Sequence, residues 1–199
     1  MPKNEYLYSE RMVTPIGYAL YPCLAQPKNW GDGKPSKYEL RIAFEASQED
    51  QLAPIFSVVR KLRKDFHGNN ENVSLAIKSS KDEDGTVLGY VLTLRSWEKP
   101  NDPKRKPQCI NVRGEKIDGA EIVSGARVRA SVVFYAGMNV TRFVNGLLQN
   151  VKLIGMGTPP PWVADVMGSS SNYVSAEKDF DGVDDSAEVS TLDDDEIPF

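Results

Sequence analysis

The chain has 199 residues, 40% of them hydrophobic, with two separated cysteines and one histidine; this composition argues against a disulfide framework, a zinc site, a signal peptide and a transmembrane helix. The net charge of −4 conceals a split, because residues 165–199 hold eleven acids and one lysine, a net charge of −10, whereas residues 1–164 hold 23 basic and 17 acidic side chains, a net charge of +6. A basic body with an acidic tail is typical of proteins that bind nucleic acid or other proteins.

The N-terminal quarter of the chain predicts two strands. Residues 1–12 are polar and are expected to be poorly ordered, whereas residues 13–24 are apolar and aromatic and predict a first strand. Residues 30–35 contain two glycines and a proline and predict a loop. Alternation over residues 37–46 predicts a half-buried strand whose core-facing side chains are Tyr38, Leu40, Ile42 and Phe44. The face predicted to meet solvent carries Lys37, Glu39, Arg41 and Ala43.

The next segment, residues 47–66, changes to a helical period. Ser47 and Asp50 have the pattern of a capping box, although Pro54 favours a helix start closer to itself. Gly68 predicts the end of the helix. Four cations lie in the last turns, where the helix dipole favours positive charge, and we interpret them as a solvated helix end rather than a nucleic-acid site. They are Arg60, Lys61, Arg63 and Lys64.

Strand patterns fill the rest of the basic body, over residues 73–79, 86–97, 109–112, 125–137 and 143–154. Asp84-Gly85 predicts a hairpin turn between the first two, and Gly146 predicts a bulge in the last. The strand over residues 125–137 is predicted to present one apolar face, formed by Val128, Ala130, Val132 and Phe134. Six or seven turn-linked strands with one helix favour a mainly β fold over a parallel α/β sheet, which needs a helix between most strands. We therefore predict an OB-fold-like barrel of five strands with elaborations and an inserted α-helix.

The acidic tail differs from the body in composition. Residues 165–199 carry scattered apolar residues among acids, and such a segment cannot bury enough apolar area to offset its ordering entropy. The sequence thus predicts a core over residues 1–164 and a disordered tail over 165–199. An apolar ending after an acidic run predicts a tip that docks into a hydrophobic pocket with a basic rim on a partner protein. The tip consists of Asp193, Asp194, Asp195, Glu196, Ile197, Pro198 and Phe199.

Cations and aromatic side chains are expected together on the solvent face of the sheet. Cations can meet phosphates while aromatic rings stack on unpaired bases, which suits a single nucleic-acid strand of any sequence. The strand residues predicted to bind it are Arg41, Arg95, Trp97, Arg113, Arg127, Arg129 and Tyr135. The loop residues predicted to join them are Trp30, Lys99, Lys104, Arg105 and Lys106. The alternative is an ordinary exposed sheet face, with Trp97 closing the barrel and Trp30 packed beneath its loop.

Catalysis is not expected from this sequence. It lacks a glycine-rich phosphate loop, a Ser/His/Asp set and a cluster of metal ligands, so we predict no catalytic residue, metal or cofactor. The run Asp82-Glu83-Asp84 could serve a nuclease, but with Gly85 it is better interpreted as a turn.

Two sets of motifs resemble those of single-stranded DNA-binding proteins. Residues 193–199 resemble the Asp-Asp-Asp-Ile-Pro-Phe tip of the bacterial family, with Glu196 in the acidic run. Residues 13–157 are similar to bacteriophage single-stranded DNA-binding proteins, which have an OB-fold with a helical insertion. The motifs that carry this second resemblance are Tyr21-Pro22, Gly33-Lys34-Pro35, Lys37-Tyr38, and Gly125-Ala126-Arg127-Val128 leading to Tyr135.

The resemblance implies that the core protects single-stranded DNA in replication, recombination and repair. Because no signal peptide and no membrane-spanning run is expected, the predicted compartment is the cytoplasm (that of a bacterial host cell if the gene is phage-borne), away from membranes. It also implies that the acidic tail occupies the DNA groove when DNA is absent, and that DNA frees the tip for replication and recombination proteins. A recombination annealing protein and an acidic DNA mimic or protein-interaction module stay open as alternatives. The sequence decides neither DNA against RNA nor homo-oligomerisation.

Overall fold

The computed structural model describes residues 6–28, 36–70, 72–97, 106–138 and 141–163. These ranges contain the α-helix α1 (Glu49–His67), three further helical residues at 161–163, and a sheet of ten strands. The strands are β1 (Leu7–Val13), β2 (Gly17–Lys28), β3 (Lys37–Glu45), β4 (Val73–Leu75), β5 (Ile77–Lys81), β6 (Val87–Trp97), β7 (Gln108–Ile110), β8 (Lys116–Ile117), β9 (Ala126–Met138) and β10 (Arg142–Met156). The predicted mainly β fold with an inserted helix is confirmed, and the predicted tail lies outside the described residues.

Five of the strands pair in a closed cycle, in the order β2, β3, β6, β10, β9 and back to β2. The β6–β10 pair is parallel and the other four pairs are antiparallel. Two of the joins are short, since β2 meets β9 only at Gly17 and Tyr18, and β10 meets β6 only at Gly146 and Leu147. The cycle is the partly open, five-stranded barrel that characterises OB-like folds, as the sequence predicted.

Alternate residues of the barrel strands fill its interior, because successive side chains of a strand point to opposite faces. The predicted core faces of β3 and β9 are confirmed, with all eight side chains buried: Tyr38, Leu40, Ile42, Phe44, Val128, Ala130, Val132 and Phe134. The buried face of α1 packs against the same core through Leu52, Ile55, Phe56, Val59 and Leu62. The helix therefore closes the barrel interior and leaves the outer sheet face to other roles.

The start of α1 differs from the prediction. Gln48, not Asp50, completes the capping box, since its Oε1 accepts a hydrogen bond from the Glu45 backbone N–H at 3.1 Å. A short 3-10 turn (Ala46–Gln48) leads into α1, which begins at Glu49, so Pro54 lies inside the helix and not at its start. Proline has no backbone N–H, and the carbonyl four residues earlier therefore lacks its helical donor. Pro54 is exposed, so water can solvate that carbonyl. The end is as predicted, at Gly68 with φ +62°. No helix within the described ranges is long and apolar enough to cross a membrane.

The expectation of a poorly ordered N-terminus is wrong for residues 7–12, which belong to β1. This strand pairs antiparallel with β9, from Leu7 opposite Ala136 to Val13 opposite Ser131. The hydroxyl of Ser9 also accepts a hydrogen bond from the backbone N–H of Phe134 at 2.9 Å. Backbone hydrogen bonds to one edge of β9 order this segment. Because these bonds do not require buried apolar side chains, the sequence of β1 lacks the apolar alternation that would have predicted a strand.

The outer face of β3 is not wholly exposed. Ala43, predicted to meet solvent, is fully buried in a second apolar cluster with Leu20, Val91 and Val163, flanked by Trp162. The chain after β10 folds back over the outside of the barrel and covers this end of the strand. The indole of Trp162 also packs closely against the backbone of Gly89 on β6, where an added Cβ would lie 2.4 Å from Cζ2 of Trp162.

Gly146 does not form the predicted bulge. The register of β10 against β9 shifts instead between Leu148 and Asn150 and again between Leu153 and Gly155. Gly146 faces the interior, where a Cβ would lie 2.5 Å from Cδ2 of Leu94. The missing side chain lets β10 and β6 approach at their short parallel join.

Substitution of Gly89 by alanine tests the docking of Trp162. An added Cβ would lie 2.3 Å from the carbonyl oxygen of Phe44 as well as against the indole, so we expect the free energy of unfolding to fall by about 1–3 kcal/mol. Gly155→Ala is the matched control on a neighbouring barrel strand, because no atom lies within 4 Å of its Cβ position. Thermal unfolding followed by circular dichroism measures both. Equal melting temperatures for the two variants would contradict the packing of Trp162 on the barrel.

Candidate nucleic-acid interface

The outer faces of β3 and β6 bring several of the predicted binding residues together. In the antiparallel register, Lys37 lies opposite Trp97, Glu39 opposite Arg95, and Arg41 opposite Thr93. These side chains alternate with the buried core residues and so point away from the barrel interior. Four of them, together with Tyr135 of β9, form a surface that we call the aromatic–basic face: Lys37, Arg41, Arg95, Trp97 and Tyr135.

A buried carboxylate joins two arginines of this face. Arg41 donates from Nε to Oε1 of Glu39 at 3.0 Å, and Arg95 donates from Nε to Oε2 at 2.7 Å. Glu39 is only 5% exposed, whereas about a third of each arginine side chain is exposed. Burial alone would raise the pKa of Glu39, but the hydrogen bonds and charges of Arg95 and Arg41 hold it below its ordinary value. The carboxylate is therefore ionised at neutral pH and fixes both guanidinium planes.

Trp97 stands between a cation and a tyrosine. The Nζ of Lys37 lies 3.8 Å from the centroid of the Trp97 ring, a cation–π contact. The side chain of Trp97 also hydrogen-bonds to that of Tyr135, which bonds to Asn145 as well. Burial raises the pKa of Tyr135 despite these two bonds, so the hydroxyl stays protonated at neutral pH. Two residues distant in sequence, Trp97 and Tyr135, thus share one site.

Two tyrosines that the sequence analysis did not consider extend this group. Tyr8 of β1 stacks on Tyr135 with ring centroids 5.8 Å apart and planes at 24°. Tyr6 meets Tyr135 edge-on at 5.9 Å, and Phe143 does so at 5.7 Å from β10. Tyr6 and Tyr8 are two residues apart, a spacing that places both rings on one face of a strand. The polar residues around them hid this pattern in the sequence.

Arg127 and Arg129 lie on the outer face of β9 toward its opposite end. Arg127 pairs with Tyr18, and Arg129 lies opposite Lys152 and donates from Nε to the carbonyl oxygen of Thr14 at 3.2 Å. With a rise of about 3.3 Å per residue, Arg127 lies on the order of 26 Å from Tyr135 along the strand. These arginines form a second basic group on the same outer face of β9, apart from the aromatic–basic face.

The remaining predicted residues are dispersed. Arg113 is exposed in the turn between β7 and β8, where the Asn111 side chain accepts a hydrogen bond from its backbone N–H. Lys106 precedes β7 and lies near Cys109, whose burial raises its pKa to about 11. Both cysteines are free. Outside the described residues lie Trp30, Lys99, Lys104, Arg105 and the tip, Asp193, Asp194, Asp195, Glu196, Ile197, Pro198 and Phe199.

The acidic run that could have served a nuclease forms a turn, as predicted. Oδ1 of Asp82 accepts hydrogen bonds from the backbone N–H groups of Asp84 and Thr86 at 3.1 and 2.8 Å. Gly85 completes the turn with φ +84°. Across the part of the chain that the structure describes, no three His, Cys, Asp or Glu side chains are grouped so as to hold a metal ion.

Comparison with known proteins adds to this geometry. No protein-family model and no curated protein sequence matches the chain. Among solved structures, it is similar to the single-stranded DNA-binding protein of bacteriophage Enc34 in complex with single-stranded DNA, with a TM-score of 0.58 and 18% identity over 75% of this chain and 88% of that one. A C-terminal truncation of that protein matches with a TM-score of 0.59 and 19% identity over the same shares of the two chains. The single-stranded DNA-binding protein gp2.5 of bacteriophage T7 matches with a TM-score of 0.58 and 14% identity over 75% of this chain and 94% of that one. The chain has their fold.

Glu39→Gln is expected to destabilise the barrel in a pH-dependent way. The amide cannot accept from both arginines, so we expect the free energy of unfolding at neutral pH to fall by about 1–3 kcal/mol. Because the folded pKa of Glu39 lies below the unfolded value of about 4.3, the wild-type advantage is complete above that value and is lost as the pH falls through the folded pKa.

Urea unfolding of the wild type and the variant across the acidic range measures this difference. Glu83→Gln is the matched control, since Glu83 is exposed in the β5–β6 turn and its replacement should change stability by less than about 0.5 kcal/mol. If the stability difference between the wild type and Glu39→Gln increased as the pH fell, the assignment of Glu39 as an ionised partner of the two arginines would be wrong.

Proposed function

We propose that this chain is a sequence-nonspecific single-stranded DNA-binding protein without enzymatic activity. The observation that carries the proposal is the aromatic–basic face, where Trp97 lies beside Lys37 and two guanidiniums held by Glu39. Cations on this face can meet phosphates, while a partly exposed ring can stack on an unpaired base. Duplex DNA hides its bases, so such a face favours single strands. The shared fold, with one neighbour solved in complex with single-stranded DNA, supports this proposal.

The proposed DNA path has a centre and two flanks. Its centre is the aromatic–basic face, and Arg127 and Arg129 extend it along the outer face of β9. Arg113 on the β7–β8 turn contributes charge at the margin. Trp30 is proposed to stack on a base. The loop residues proposed to close over the DNA backbone are Lys99, Lys104, Arg105 and Lys106.

The acidic tail is proposed to regulate access to this path. Residues 1–164 would form the DNA-binding core, and residues 165–199, at a net charge of −10, would compete with DNA for it. Val163 supports this, because it is buried beside Ala43, the next outward residue of β3 after Arg41, so the tail departs next to the basic face. Once DNA displaces the tail, residues 193–199 would recruit proteins of replication, recombination and repair.

The proposal is tested by fluorescence anisotropy of a labelled poly(dT) oligonucleotide. Full-length protein and a variant ending at Ala164 are titrated at two salt concentrations, with duplex DNA of the same length as control. We expect salt-sensitive binding to the single strand, weaker binding to duplex, and tighter binding by the shortened variant at low salt. Absence of binding by both proteins would sink the proposal, and equal affinities of the two at low salt would remove the role of the tail.

Two substitutions separate charge from stacking. Arg95→Gln should weaken binding and lower the slope of log affinity against log salt by about one, because one phosphate contact is lost. Trp97→Ala should cost on the order of 1–3 kcal/mol of binding free energy and leave the slope unchanged. Lys61→Gln on the exposed surface of α1 is the control and should alter neither quantity. If Lys61→Gln matched Arg95→Gln, binding would depend on overall charge and not on this face.

A further inference from the structure

We propose that Tyr8 of β1 is a base-stacking site, which extends the DNA-binding surface beyond the barrel onto the N-terminal strand. This inference rests on the proposed function and adds to it a contact residue and the chemical class of its ligand, an unpaired nucleobase. Tyr135, a residue that the sequence analysis singled out, packs beside Tyr8 from the neighbouring strand β9.

Exposure distinguishes the two rings. Tyr8 is 56% exposed, whereas Tyr135, its neighbour across the ladder, is half-buried and is further enclosed by Tyr6 and Phe143 at its edges. One face of the Tyr8 ring is packed on Tyr135, and Tyr6 meets the ring edge-on at 6.2 Å, yet more than half of the residue is exposed. An aromatic side chain that is held on one side by a neighbouring ring and is otherwise largely exposed is suited to stack on an unpaired base.

The backbone of β1 holds this ring in place. Tyr8 pairs directly with Tyr135 across the β1–β9 ladder, and the hydroxyl of the next residue, Ser9, accepts the hydrogen bond from Phe134 N–H. The ring is therefore presented by a strand rather than by a loop, so little conformational entropy has to be lost when a base stacks on it.

Neighbouring groups make the site continuous with the aromatic–basic face. Tyr135 connects Tyr8 to Trp97 through its hydroxyl. On the other side, Arg11 is exposed and lies opposite Val133, an outward-facing residue of β9, which places its cation on the same outer face as Tyr8. Stacking rings at Tyr8 and Trp97, with cations on either side, provide positions for more than one base of a single strand.

The competing explanation is that Tyr8 only covers the edge of the barrel. Tyr8→Leu distinguishes the two, because leucine retains apolar cover but has no π surface, whereas Tyr8→Phe retains the ring and removes only the hydroxyl. Full-length proteins are titrated by anisotropy against labelled poly(dT) and against an abasic oligonucleotide of the same length and charge. Thermal unfolding confirms that each variant is folded at the assay temperature.

For poly(dT), we expect Tyr8→Phe to bind within about twofold of the wild type and Tyr8→Leu to bind about 5- to 100-fold more weakly. On the abasic strand the leucine variant should equal the wild type, since no base is present to stack. Equal affinity of all three proteins for poly(dT) would overturn the inference, as would an equal loss by Tyr8→Leu on both strands, which would assign Tyr8 a structural role. If the wild type itself did not bind poly(dT), the proposed function would fail instead.

Discussion

The structure depends on the backbone pairing of β9. This strand pairs with β10 along one edge and with β1 and β2 along the other, so its hydrogen bonds fix the register of three other strands. Its inward residues Val128, Ala130, Val132 and Phe134 are fully buried, and each outward residue is consequently held on the opposite surface. The positions of Arg127, Arg129 and Tyr135 are thus a consequence of strand alternation in a register that slippage would disrupt. The outward side chains of β9 in the candidate interface are thus held in place by the backbone hydrogen bonds of β9 to its neighbouring strands.

A negative charge in the middle of a basic face needs a physical reason. Glu39 reduces the attraction of the face for phosphates, and an ion pair at a buried carboxylate is weak grounds for stability on its own. What the carboxylate provides is geometry, because Nε of Arg41 and Nε of Arg95 both bind it and their long side chains lose much of their rotamer freedom. Each guanidinium has five N–H donors, so binding through Nε is compatible with further contacts at its outer edge. Glu39 therefore lowers the net positive charge of the face but holds the side chains of Arg41 and Arg95 in defined orientations.

Periodicity in the sequence predicted the elements whose stability comes from burial, and it failed where other forces decide. The alternation of β3 and β9 and the apolar spacing of α1 were sufficient to place the core faces and the inserted helix. β1 was missed because it is stabilised by hydrogen bonds to β9 and has few buried side chains. The burial of Ala43 depends on Val163, which is remote in sequence, and the bridge through Glu39 depends on the register of β3 against β6. No local pattern contains either fact, so Tyr8 and Glu39 could not be assigned before the strands were paired.

The chain segment packed over the outside of the barrel limits how a ligand can cross it. Trp162 and Val163 cover the outer face of β3 from Ala43 onward, whereas Arg41, the preceding outward position, is partly exposed. A nucleic-acid strand on the proposed path across β3 would therefore meet Trp162 and Val163 one step beyond Arg41 and would have to turn there. In the proposed binding mode, this side of the footprint on one barrel is therefore set by the packing of the folded domain and not by the length of the strand offered.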